Sequence, residues 1–319
     1  VTGYLLAYFL PGPGGEAVRF AVSADATPLV FHALPGGPLR SDVGEGGARD
    51  PFLVRDTASG RVVLLATDLR TEDVDDWHRA VRHGSRSILV WESSDLVDWG
   101  DPQLRAVAPE EAGNAWAPKA YRSEERGCWQ VFFSSALFPP GQDRGTAVHQ
   151  RILVVETEDF VRFSSARIAL DTGRDVIDAT FLPDGDGWLR FTVETPTGAD
   201  ATSITLARGV SLDGRFETVR TGIGRPELAR GEGPAVIRSP DGTTTWLLID
   251  EFGLRGYRVF SSARPGTGGF EPVRGARLPD DARHGSLLAL TDDEAARLRS
   301  RAGIGPAPVG SSRGGGASW

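Results

Sequence analysis

Three acidic residues stand where chemistry could be done: Asp50 in Arg49-Asp50-Pro51-Phe52, Asp178 in Ile177-Asp178-Ala179-Thr180-Phe181, and Glu232 in Gly231-Glu232-Gly233-Pro234. Each opens an apolar run of β-type sequence, where a carboxylate has no packing reason to sit. If those runs are repeats about one axis, the three side chains converge. Carboxylates held close together cannot all ionise at their ordinary pKa, so repulsion raises at least one. A raised carboxylic acid can protonate a leaving oxygen, and a depressed carboxylate can deprotonate water. Glycosidic bond hydrolysis needs that division of labour. Inversion at the anomeric carbon calls for the two groups to be about 6.5–9.5 Å apart, with room for the water.

Other side chains join these as candidates. His284 is the one histidine on an expected inner strand, whereas His32, His78, His83 and His149 lack metal-ligand spacing. Trp116 reads equally as core packing or as a platform for a sugar face. Asp250 and Arg255, in Asp250-Glu251-Phe252-Gly253-Leu254-Arg255, follow a strong strand and are candidates for the substrate rim, against the plainer reading of a solvated turn. Residues 68–87 form a long polar segment with Trp77 and Arg86, and long loops in compact domains are often functional; this one is expected to wall a pocket. The single cysteine, Cys128, reads as a small buried residue.

The elements that must position these groups are short β-type runs separated by Gly, Pro, Asp and Asn. They fill nearly the whole chain. One helix is expected, over 291–298, with Thr291 as its cap and Glu294 three residues on. Two interleaved series recur. Aromatics ending a polar turn stand at Phe31, Trp99, Phe163, Phe216 and Phe270, in steps of 68, 64, 53 and 54. Strand starts stand at Asp50, Trp116, Asp178, Glu232 and His284, in steps of 66, 62, 54 and 52. Units of about 50–65 residues with roughly four strands have the size of propeller blades. The last strand start lacks outer strands, and the first 40 residues hold outer strands without an inner one. The expected fold is therefore all-β, a five-bladed β-propeller over residues 1–305 as one domain, its ring closed by the N-terminal strands joining the C-terminal inner strand. Residues 306–319 are Gly/Ser-rich and read as a flexible tail.

Composition narrows the partners. A net charge of −8 and a pI near 5.3 argue against nucleic acid or an anionic membrane. No apolar run approaches the roughly 20 residues of a membrane span. The chain starts at Val1 with no visible signal peptide; a start without Met is compatible with a removed leader, so secretion is the expectation and cytoplasmic residence the alternative. Of the basic residues all but Lys119 are Arg, a bias typical of a GC-rich genome.

The chain resembles glycoside hydrolase family 43 along almost its whole length. Asp50-Pro51-Phe52-Leu53-Val54 resembles the family's first-blade Asp-Pro-Ser-Ile-Val motif, and Trp116-Ala117-Pro118 its second-blade Trp-Ala-Pro. Asp178-Ala179-Thr180, Gly231-Glu232-Gly233-Pro234 and Arg283-His284-Gly285-Ser286 match the motifs of the remaining blades in order. The resemblance implies a general base at Asp50, a pKa-tuning residue at Asp178 and a general acid at Glu232. It implies a channel-facing His284, which in some members faces a bound calcium, and no required organic cofactor. Two positions depart: Asp178 is followed by Ala-Thr in place of Pro-Ser or Pro-Thr, and Lys119 stands where many members have an acid or His. A cation there would lower the carboxylate pKa values or bind a substrate hydroxyl.

The expected activity is an inverting exo-glycosidase releasing arabinofuranosyl or similar units from oligo- or polysaccharides. Xylosidase and galactofuranosidase are the nearest alternatives. Another is a non-catalytic carbohydrate-binding propeller, which a salt bridge from Lys119 to Glu232 would favour.

Overall fold

A computed structural model describes residues 2–71, 76–141, 143–195 and 201–305. The expected tail, residues 306–319, lies outside them. Strands β1 (Gly3–Phe9), β2 (Arg19–Ser23) and β3 (Phe31–Ala33) come first. Blade I follows with β4 (Ala48–Asp56), β5 (Arg61–Asp68), β6 (Ser87–Ser93) and β7 (Gln103–Ala106), the helix α1 (Trp77–His83) lying between its second and third strands. Blade II holds β8 (Trp116–Ser123), β9 (Cys128–Ala136), β10 (Gln150–Thr157) and β11 (Arg167–Leu170). Blade III holds β12 (Val176–Asp184), β13 (Gly187–Glu194), β14 (Ser203–Gly209) and β15 (Phe216–Ile223). Blade IV holds β16 (Glu232–Arg238), β17 (Thr245–Glu251), β18 (Gly256–Ser262) and β19 (Glu271–Pro272), after which β20 (Arg283–Leu290) and α2 (Asp292–Arg301) end the described chain.

Within each blade consecutive strands pair antiparallel, and blade V is assembled from both ends in the order β20-β1-β2-β3. Its seam runs from Gly3 opposite Leu290 to Phe9 opposite Arg283. Closing the ring this way leaves no open edge between the first and last blades. The fold is the expected five-bladed β-propeller with the expected closure.

The burial pattern shows why these runs become blades. Every residue of β1, β9 and β17 is buried, because a blade packs a neighbour on each face. Such strands read as continuous apolar runs without alternation. The core divides into clusters at the blade interfaces: Leu64 and Leu89 meet Leu5 and Leu288 between blades V and I, and Val131 meets Leu65 between I and II. Phe132 meets Phe181 between II and III, Leu189 meets Leu247 between III and IV, and Leu6 meets Leu248 between IV and V. The recurrent aromatics mark entry to the fourth strand, where Trp99 stacks on Phe20 at 5.2 Å and Phe270 meets Phe191 edge-on at 5.8 Å.

The helices divide. α2 has the capping box expected of Thr291 and Glu294. α1 lies inside the segment read as a polar loop; it is a seven-residue helix capped by Asp76, whose side chain accepts from the Arg79 amide, and it buries only Ala80. One buried position leaves no helical periodicity to read.

Candidate active site

The inner strand of each of the first four blades carries a bulge near its start. Pairing slips between Arg49 and Phe52, between Trp116 and Lys119, between Ile177 and Thr180, and between Glu232 and Ala235. At each slip one residue is left-handed: Asp50 (φ 53°), Ala117 (φ 50°), Asp178 (φ 59°) and Gly233 (φ 55°). The bulged residue drops out of the ladder, and the next residue is Pro at 51, 118 and 234, which has no amide to lose there. For a residue other than glycine the left-handed conformation costs about 1–3 kcal/mol, a strain that collects at functional sites. The true register therefore aligns Asp50, Ala117, Asp178 and Gly233. Trp116 and Glu232 stand one residue earlier, so the expected series of strand starts mixes two neighbouring positions. Gly233 suits its place twice over, since a Cβ there would lie 2.5 Å from the His284 ring.

Amides near the bulges bond across blade boundaries. Ala117 N donates to Thr67 Oγ1 (2.7 Å), Asp178 N to Ser134 Oγ (3.0 Å), Gly233 N to Asp178 Oδ2 (3.0 Å) and His284 N to Asp250 Oδ2 (3.1 Å). These bonds bring the three carboxylates and His284 to one end of the channel.

Asp50 accepts from Thr67 Oγ1 at 2.7 Å and faces His284 Nδ1 at 3.2 Å. The same nitrogen is 3.7 Å from Asp178 Oδ2. Beside Asp50, Arg49 is fixed by Glu16 (2.8 Å) and lies over the rings of Phe9 and Trp77. Burial works to raise the Asp50 pKa, but His284, Arg49 and the Thr67 hydroxyl outweigh it and hold it at about 2. Glu232 goes the other way: burial and the charges of Asp250 and Asp178 raise it well above the ordinary Glu value, against the pull of Arg283 and His284. Two carboxyl groups in one site are thus pushed apart in acidity, the arrangement that assigns an acid and a base.

Arg283 was not among the expected site residues. It pairs with Glu232 Oε1 at 3.0 Å and with Asp250 Oδ2 at 2.5 Å. The signal was present, because Arg283 adjoins His284 in the motif quoted for it. Asp250, expected at a rim or in a solvated turn, is instead wholly buried at the end of β17, its Oδ1 unpartnered among the described residues. Arg283→Met should leave that charge uncompensated and destabilise the fold by about 3–5 kcal/mol. Denaturant melts of the two proteins measure it, and a loss under about 1 kcal/mol would show that the pair is not structural.

The remaining candidates separate. Lys119 does not reach Glu232: its buried Nζ donates to Thr180 Oγ1 (2.6 Å) and Pro234 O (3.0 Å). Burial lowers its pKa to about 8, opposed by Asp178 and Asp50. Trp116 is half-buried and packs edge-on against the exposed Trp77 at 6.1 Å, so α1 brings an aromatic pair beside Arg49. Arg255 is held in the β17–β18 turn by Glu251 and Glu227, and Arg86 is exposed, its carbonyl receiving Val107 N and Ala108 N. Neither of these arginines is drawn into the carboxylate group. His284 was also expected to face a calcium ion, which takes six to eight oxygen ligands. Among the described residues no group of three His, Cys, Asp or Glu could hold a metal. His284 adds only the nitrogen Nε2, and the channel already holds an ammonium group. The residues present do not fit a calcium site.

The description "probable glycosyl hydrolase domain" belongs to the family model, related to family 43, that matches residues 1–296. An α-L-arabinofuranosidase of Bifidobacterium longum subsp. longum is 31% identical over 229 residues, covering 66% of this chain. The chain spans 21% of that relative's length. Among solved structures, an endo-arabinase of Bacteroides thetaiotaomicron is 16% identical with a TM-score of 0.53, covering 76% of this chain and 84% of that one. An endo-1,4-β-xylanase of the same organism is 11% identical with a TM-score of 0.58, covering 85% and 90%. At these identities the two structures speak for the fold alone.

Proposed function

Since the chain belongs to the glycosyl hydrolase family related to family 43, we propose that it is an inverting, exo-acting hydrolase releasing arabinofuranosyl units from an oligo- or polysaccharide. Asp50 is the base that activates water, Glu232 the acid that protonates the leaving oxygen, and Asp178 the residue that orients Glu232 through its bond to Gly233 N. The observation that carries this reading is the contrasting surroundings of the pair, Asp50 bonded to Thr67 and facing His284, Glu232 buried and paired with Arg283, which push their acidities apart. The arabinofuranosidase name of the Bifidobacterium relative supports the sugar. Trp77 and Trp116 supply apolar faces at one side of the site, which suits a walled pocket taking a chain end. The salt bridge that would favour the binding-only alternative is not made: Lys119 donates to Thr180 and Pro234. Substrate arriving as extracellular polysaccharide would fit a secreted protein. Among the described residues no helix is long and apolar enough to cross a membrane.

The test is turnover of 4-nitrophenyl α-L-arabinofuranoside, β-D-xyloside and β-D-galactofuranoside, with the anomer of the first-formed sugar followed by proton NMR. Release of the inverted anomer from the arabinofuranoside is the expected result. The retained anomer would remove the mechanism, and a preference for either other glycoside would replace the sugar.

The pH profile follows from the same pair. Asp50 must be ionised, and its depressed pKa leaves it so down to about pH 2. Glu232 must be protonated, and its raised pKa keeps the proton where a free Glu has lost it. kcat/KM should therefore form a broad plateau reaching neutrality and fall on the alkaline side as Glu232 ionises. A fall already complete near the ordinary Glu value of 4.5 would take the acid role from Glu232.

A further inference from the structure

Lys119 and Thr180 each stand two residues past the left-handed position of their strand, so with a period of two they face the channel one layer beyond the carboxylates. In that layer Lys119 Nζ from blade II reaches Thr180 Oγ1 on blade III (2.6 Å) and Pro234 O on blade IV (3.0 Å). Thr180 in turn donates to Pro234 O at 2.7 Å, closing a small ring of hydrogen bonds. Asp50 of blade I and Asp178 of blade III act on the ammonium by charge, and His284 of blade V feels it as a cation. The positive charge thus couples to all five blades. Beyond it the channel opens into a cavity of about 360 Å³ whose lining includes Phe52, Tyr121, Phe181 and Leu287. An isolated buried charge is costly unless paired, and here a carbonyl and a hydroxyl accept from it while Asp50 and Asp178 act on it through charge alone. The residue type is telling too. Every other residue of the Lys and Arg set is Arg, whereas an ammonium is a compact point charge with three donors spread in space, the side chain that most nearly copies a small metal ion.

We propose that the Lys119 ammonium is the resident cation of the channel, supplying the positive charge beside Asp50 and Asp178 that a divalent ion would otherwise supply, so that hydrolysis runs without a metal. Lys119 is a positioning residue in this account: it touches neither substrate nor reacting atoms. The proposal rests on reading Asp50 as the base, but its first test needs no substrate. The purified protein should hold no stoichiometric metal by elemental analysis before any chelator is added, and after dialysis against EDTA its melting temperature should not move with millimolar CaCl2. Uptake of one equivalent of calcium with a rise in melting temperature would overturn the proposal. Activity retained after EDTA treatment is expected, and its loss with recovery on added calcium would likewise overturn it.

The second test is Lys119→Met, which keeps the stem and removes the charge. Losing an opposite charge raises a carboxylate pKa, so the acidic limb of kcat/KM should move to higher pH. A folded variant with an unmoved limb would reduce Lys119 to packing and defeat the proposal. Should the variant fail to fold, the metal and melting measurements on the unaltered protein decide alone. Those measurements also separate the two readings, because they can succeed even if no glycoside is turned over.

Discussion

Glu232→Gln is expected to lower kcat by about 10²–10⁴-fold, the usual worth of a positioned acid. The loss should depend on the leaving group. A 4-nitrophenolate departs with little help, so an aryl glycoside should retain more of its rate than an oligosaccharide whose departing alkoxide needs the proton. The fold should survive. Burial and the charges of Asp250 and Asp178 keep Glu232 protonated to higher pH than usual, so Gln replaces a side chain that is already largely neutral in that range. Its amide oxygen can keep the 3.0 Å contact with Arg283. The variant should melt at or above the parent temperature. Equal losses on aryl and oligosaccharide substrates would argue for damaged binding and against an acid, and more than half the activity retained would remove Glu232 from the mechanism.

Asp50→Asn should cost a similar factor, about 10²–10⁴ in kcat, by removing the base. Asn tolerates the left-handed conformation about as well as Asp, so the backbone at φ 53° should hold. Added azide, a nucleophile that needs no deprotonation, should restore turnover of a substrate with a good leaving group and yield the inverted glycosyl azide. The same treatment should not help Glu232→Gln, and that contrast identifies which residue serves the water. A second readout comes from linkage. The Asp50 pKa is lowered from 3.8 to about 2 on folding, so its contribution to stability is full above the unfolded value and is lost as pH falls through the folded one. Asp50→Asn should therefore weaken the dependence of melting temperature on pH between roughly 4 and 2. An unchanged dependence would show that the His284 and Thr67 contacts are not made in solution.

Much of this molecule was legible along the chain. The blade repeat shows because each blade needs the same local parts: an inner strand with a polar start, apolar runs buried on both faces, and an aromatic that packs where the fourth strand begins. The incomplete last unit and the surplus strands before Asp50 announced the ring closure. The carboxylates were visible because apolar strands do not otherwise begin with them. α1 was missed, since its single buried residue, Ala80, sets no period. Asp250 was misplaced because a turn follows it directly, and turn composition says nothing about which strand-end side chain folds inward.

What the amino-acid order determined by itself is everything carried by neighbours within a few residues: strands, turns, caps, and motifs one per blade. What only the tertiary structure decided is which of those residues face each other. A bulge shifts the register by one, and that shift separates Glu232 from the position shared by Asp50 and Asp178. Arg283 gains its role from Glu232 and Asp250, 51 and 33 positions away in sequence. Lys119 turns from Glu232 to Thr180 and Pro234 because their layer of the channel presents oxygens to it. Acidity is a property of such assemblies. Burial and charge act through space, so whether a carboxylate becomes acid or base depends on contacts that no local stretch of chain contains.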